Sequence, residues 1–163
     1  MVNLKPLFEI QRALDEKIIA KHGLYQQNLI PKKILALQVE LGELANESRC
    51  FKFWSVKPPS PREVILEEYV DALHFVLSIG LEKGYDQVVR VQKRQTEVPE
   101  VEAFRQVFDC ITRFAETEDS QAYQALFQSV LDLGNRLGFS WEEIEQAYKK
   151  KNEVNHLRQE QGY

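Results

Sequence analysis

A chain of 163 residues, 44% hydrophobic and 28% charged, is long enough to bury a core and has the balance of one soluble globular domain. Only seven glycines and six prolines interrupt it, which favours long helices over a turn-rich β architecture. A net charge of −4 with scattered Lys and Arg argues against a nucleic-acid polymer as partner, and no apolar run approaches the roughly 18 residues of a membrane span.

The first periodic segment, about 4–21, places Leu7, Ile10, Leu14 and Ile18 at helical spacing and ends at Gly23. A second starts at Pro31, a residue suited to a first helical turn, and carries Ile34, Leu37, Leu41 and Leu44. A loop with Trp54, Pro58 and Pro59 follows. Cys50 precedes it; with Cys110 as its sole companion it suggests neither a disulfide framework nor a zinc site, and Met1–Glu9 has no leader pattern, so a reducing, cytoplasmic setting is expected. Ser60-Pro61-Arg62-Glu63 reads as a capping box opening a helix that runs to about Lys83. That helix is apolar on more than one side, through Val64, Leu66, Val70, Leu73, Phe75, Leu77 and Leu81. One small bundle has too few neighbours to cover it, so a homodimer sharing helices is expected. Further helices are predicted at about 86–97, 101–116, 120–137 and 140–159, the last opened by a second capping box, Ser140-Trp141-Glu142-Glu143. With no convincing period-2 alternation and no repeat, the fold class is an all-α bundle of five to seven helices in one domain over residues 1–163.

Two acidic clusters carry the chemistry. Glu40, Glu43 and Glu47 are spaced i, i+3, i+7 and share a helix face, with Glu40 at the edge of the Leu37/Leu44 stripe. Glu68 and Asp71 lie i, i+3 between Val64 and Phe75 on the apolar helix. Carboxylates gathered at a core edge repel one another and lose hydration. A hard divalent cation such as Mg²⁺ relieves both, and it retains open positions for phosphate oxygens. The alternative is that such pairs merely solvate helix faces. Gly42, unfavourable inside a helix, hints at close packing there. Near the C-terminus Lys151, Asn155 and Arg158 recur at i, i+4, i+7, a polar and basic stripe before Gly162 and Tyr163. It reads either as a phosphate grip or as charges complementing the helix dipole.

The spacing Glu40-x-x-Glu43 … Glu68-x-x-Asp71 resembles the metal motif of the MazG-like all-α nucleotide pyrophosphohydrolases. The surrounding segments, Gln38 to Glu47, Phe51-Lys52-Phe53-Trp54, Glu67 to Phe75 and the C-terminal Lys151 to Tyr163, resemble the dimeric dUTPases over nearly the whole chain. The resemblance implies Mg²⁺-dependent hydrolysis of dUTP, and also dUDP, to dUMP. Two or more Mg²⁺ ions per site, with Mn²⁺ as a substitute, would be held by Glu40, Glu43, Glu68 and Asp71. Glu40 would also orient or deprotonate the attacking water. Gln11 and Asp15 fall where the family reads uracil edges, although Asn is more usual at the second position. Lys52, Trp54, His74 and Phe75 would complete the nucleotide pocket, the aromatics having core packing as their alternative. Lys151, Asn155, Arg158 and Tyr163 would take the phosphates. Rival classes are a pyrophosphohydrolase for another nucleotide, a non-catalytic helical oligomer, and a di-iron bundle. The last needs two Glu-x-x-His pairs, and the sequence offers only Asp71-x-x-His74.

Overall fold

The computed structural model describes residues 1–162. Its helices are α1 (Lys5–His22), α2 (Ile30–Ser48), α3 (Arg62–Lys83), α4 (Glu100–Thr117), α5 (Ser120–Arg136) and α6 (Trp141–Glu160), with one 3-10 turn at Tyr85–Gln87. Among the described residues there is no strand, and no described helix is long and apolar enough to cross a membrane.

Local signals set most helix ends. Gly23 and Gly84 close α1 and α3 in the left-handed conformation, with φ of 64° and 74°. The capping box at Ser140 is complete: its hydroxyl accepts from the Glu143 amide at 3.1 Å and the Glu143 carboxylate accepts from the Ser140 amide at 2.8 Å. The box expected at Ser60 does not form. Pro61 takes the N-cap position without a side-chain cap, and the Ser60 hydroxyl donates instead to the Glu47 carboxylate on α2.

Helix α3 is the axis. It packs against α1, α2, α5 and α6, and from Tyr69 to Gly80 nearly every residue is buried. Of the apolar residues that suggested a second copy, Val70, Leu73 and Leu77 are buried within one chain, Leu66, Phe75 and Leu81 are half-buried, and Val64 is exposed. Its register against α5 is set by a reciprocal pair. Tyr123 of α5 lies over Gly80 of α3 and donates to the Val76 carbonyl at 2.7 Å. Tyr69 of α3 lies over Gly134 of α5 and donates to the Val130 carbonyl, also at 2.7 Å. Close packing thus falls at Gly80 and Gly134; Gly42, expected to mark it, is exposed with nothing near its absent Cβ.

The helix predicted at 86–97 is the clearest correction. After one 3-10 turn the chain runs extended, burying Val89 and Val91 while Arg90 and Gln92 face outward. Two glutamines of α5 replace the missing helical hydrogen bonds. Gln124 accepts from the Arg90 amide at 2.7 Å and donates to the Arg90 carbonyl; Gln128 does the same for Gln92, at 3.0 and 2.8 Å. Arg94 then pairs with Asp132 at 2.7 Å. Two residues of extended chain rise about 6.6 Å and four of helix about 6 Å, so 90/92/94 and 124/128/132 stay in step.

Candidate active site

Helix α2 buries Leu37, Leu41 and Leu44, which leaves Glu40 half-buried between that stripe and α3, with Glu43 outside it and exposed. On α3, Glu68 and Asp71 are half-buried on the facing side. One carboxylate oxygen each from Glu40, Glu68 and Asp71 lies within 4.8 Å of the others. Oε2 of Glu40 and Oε2 of Glu68 are buried without a hydrogen-bond donor. Burial and then Asp71 and Glu43 raise the Glu40 carboxyl to about 7, and burial, Asp71 and Glu43 raise Glu68 to about 7. Asp71 is also raised, burial outweighing its ion pair with Lys151. These orphaned oxygens are an acceptor set suited to a hard cation.

Lys151 of α6 bridges Glu67 at 2.9 Å and Asp71 at 3.3 Å, and Arg158 lowers the pKa of both carboxyls, so the basic stripe faces the cluster. Asn155 is half-buried on the same helix; Tyr163 lies outside the described residues. Beside the cluster a cleft of about 390 Å³ is lined by Val39, Gly42, Glu43, Asn46, Glu47 and Glu68. A second, of about 450 Å³, shares Asn46 and Glu47 with it and is bordered by Arg49, Lys52 and Lys57.

A second polar group sits further along the bundle. Gln11, wholly buried on α1, donates to Asp15 at 2.8 Å and accepts from the Tyr148 hydroxyl. Asp15 also accepts from Ser78 at 2.9 Å, and burial raises its pKa. Lys33 of α2, paired with Glu82 at 3.4 Å, acts electrostatically on Asp15 and His74. Sequence reading missed Lys33, Ser78 and Tyr148. The signal lay in the spacing: Asp71, His74 and Ser78 are i, i+3, i+7 on α3, and Lys33 and Glu40 are i, i+7 on α2. His74 lies between the two groups along α3; its Nδ1 is buried without a partner, and burial, then Lys33 and Lys151, lower its pKa to about 4. It is neutral at physiological pH. Phe75, half-buried, packs edge-on against His74 with ring centroids 4.8 Å apart. Trp54 lines neither cleft: it is 64% exposed on the 49–61 loop, edge-on to Phe53, itself 94% exposed.

A seam of polar side chains thus joins a carboxylate cluster and its basic neighbours to an enclosed amide–carboxylate pair about 10 Å away, the rise of seven helical residues. A comparison with curated proteins gave no match. A family model described as dUTPase matches residues 3–163, nearly the whole chain. With six helices, no strand among the described residues and this match from end to end, the chain belongs to the all-α dUTPase family, whose activity is dUTP hydrolysis.

Proposed function

We propose that this dUTPase, acting as one catalytic unit over residues 1–163, hydrolyses dUTP, and dUDP as well, to dUMP with Mg²⁺, Mn²⁺ serving as a substitute. The carrying observation is the pair of buried, donor-less oxygens of Glu40 and Glu68 beside Asp71. Glu40, Glu43, Glu68 and Asp71 would hold the cations, at least two per site. Bound there, they would offset phosphate charge and raise the acidity of a nearby water. Glu40 has a free acceptor oxygen to orient that water and receive its proton. Lys151, Asn155, Arg158, Tyr163 and Lys52 bind the phosphate oxygens that face away from the carboxylates, Arg158 through a forked donor.

At the other end, the donors of Gln11 and Ser78 both converge on Asp15, which marks it as an acceptor. A carboxylate suits an imide N–H such as that of uracil, while the second N–H of Gln11 suits a base carbonyl. Cytosine, with a lone pair at that ring nitrogen, would face lone pairs and be rejected. Neutral His74, with Phe75 packed edge-on against it, walls the base, and Trp54 on the exposed 49–61 loop would reach the base only by closing over it. We place the homodimer contact on α2, where Leu35 and Val39 are 62% and 51% exposed at i, i+4 beside Gly42.

The test is product release from a panel of nucleoside di- and triphosphates, with Mg²⁺, with Mn²⁺ and after chelation. The reading expects turnover of dUTP and dUDP only with a cation present. Equal rates on dCTP, or undiminished turnover in excess chelator, would overturn it.

A further inference from the structure

Arg49 occupies an unusual place. It ends α2 with φ 61° and ψ 14°, in the left-handed region normally given to glycine, and its amide still bonds the Ala45 carbonyl at 3.0 Å. A side chain is disfavoured there, so its presence points to a task for the side chain. The guanidinium spans the loop that follows. Nε donates to the Lys57 carbonyl at 3.0 Å and Nη2 to the Ser55 hydroxyl at 2.8 Å. The loop base is closed by a second tie, Ser60 to Glu47, through amide-to-carbonyl at 3.0 Å and hydroxyl-to-carboxylate. Hydrophobic packing contributes little: Phe53, Trp54 and Val56 are largely exposed. Glu47 borders both clefts and adds to the field that raises Glu68, so the loop is tied down directly beside the carboxylate cluster.

We propose that Arg49 is a positioning residue: its guanidinium fixes the 49–61 loop so that Lys52 borders the second cleft, which shares Asn46 and Glu47 with the carboxylate cleft. This rests on the reading that a nucleotide's phosphates lie in that cleft. Arg49 touches no reacting atom. It acts through the loop, and losing it raises KM while leaving the carboxylates and their chemistry in place.

Arg49→Gly separates this from a plain helix stop, because glycine is the residue the backbone prefers. The full-length variant is compared with wild type by melting, by trypsin cleavage after Lys52 followed by mass spectrometry, and by dUTP kinetics with Mg²⁺. We expect a melting temperature not more than about 2 °C below wild type. Cleavage after Lys52 should accelerate at least about ten-fold, because the loop opens more often. KM should rise about ten-fold or more with kcat within about three-fold. Arg49→Lys, which keeps charge but loses the fork, should restore neither. Wild-type KM in Arg49→Gly, or an unchanged cleavage rate, overturns the proposal. Should Arg49→Gly fail to fold, Ser55→Ala decides: it removes one acceptor of the fork, and an unchanged KM there is equally fatal. Wild-type enzyme that does not turn over dUTP would instead overturn the functional reading, while the cleavage rate still tests the clamp.

Discussion

Replacing Glu40 by glutamine should stabilise the metal-free protein while abolishing turnover. Wild-type Glu40 titrates at about 7 in the folded chain against 4.5 for the free side chain, through burial and the charges of Asp71, Glu43 and Glu68. Folding therefore favours the protonated acid. Its contribution to stability is fully present below pH 4.5 and is lost as pH rises from there through about 7. At about 1.4 kcal/mol per pKa unit the full penalty is roughly 3 kcal/mol. Glu40 is only half-buried, and solvent screening reduces this to about 1 kcal/mol. For a domain of this size that is a rise of about 2–4 °C in melting temperature. The amide can also donate to a neighbouring carboxylate at pH 8, where the ionised Glu40 offers only lone pairs. The assay is calorimetric melting of chelator-treated wild type and Glu40→Gln at pH 5 and pH 8, with Mg²⁺ added afterwards. The variant should melt higher at pH 8, nearly equal wild type at pH 5, and gain less from Mg²⁺. A variant that melts lower than wild type at pH 8, or one that retains activity, would refute the reasoning.

Arg158→Ala should lower kcat/KM for dUTP by about 10- to 100-fold with a melting temperature within about 2 °C of wild type; unchanged kinetics with a lower melting temperature would mark the C-terminal stripe as structural. Asp15→Ala should reduce the preference for dUTP over dCTP by at least about ten-fold, read as a ratio of kcat/KM values, whereas a preserved ratio would remove Asp15 from base recognition. Gly134→Ala places a Cβ 2.5 Å from the Tyr69 hydroxyl and should destabilise the fold by about 1–3 kcal/mol in denaturant titration, a loss that no added Mg²⁺ restores to wild type. Leu35→Asp with Val39→Asp should shift sedimentation from dimer to monomer, and a monomeric wild type at micromolar concentration would contradict the α2 contact.

The six helices could be read from the chain because the residues that make them lie within a few positions of one another. Stripes such as Leu37/Leu41/Leu44, the Ser140 capping box and the closing glycines are local facts, and so is the sharing of a face by Glu40, Glu43 and Glu47. The family could be read for a related reason, since its motif is a spacing. Other features depended on partners far along the chain. The 88–98 segment mixes good helix formers such as Gln92, Lys93, Arg94 and Gln95 with β-branched Val88, Val89 and Val91, and Gln124 and Gln128, more than thirty residues away, satisfy its backbone in extended form. Ser60 looked like a cap, but Pro61 takes the N-cap position and the Ser60 hydroxyl donates to the Glu47 carboxylate of the neighbouring helix. The apolar sides of α3 suggested a second copy; packing by α1, α2, α5 and α6 buries Val70, Leu73 and Leu77 within one chain and leaves Val64 exposed. In the same way only tertiary packing closed Gln11 and Asp15 with Ser78 and Tyr148, set Lys151 against Asp71, and turned Arg49 from a helix end into a loop clamp. Periodicity specifies which face of a helix a side chain occupies. Which group stands opposite that face is decided by packing, because side-chain hydrogen bonds and burial act over a few ångströms of space whatever the separation in sequence.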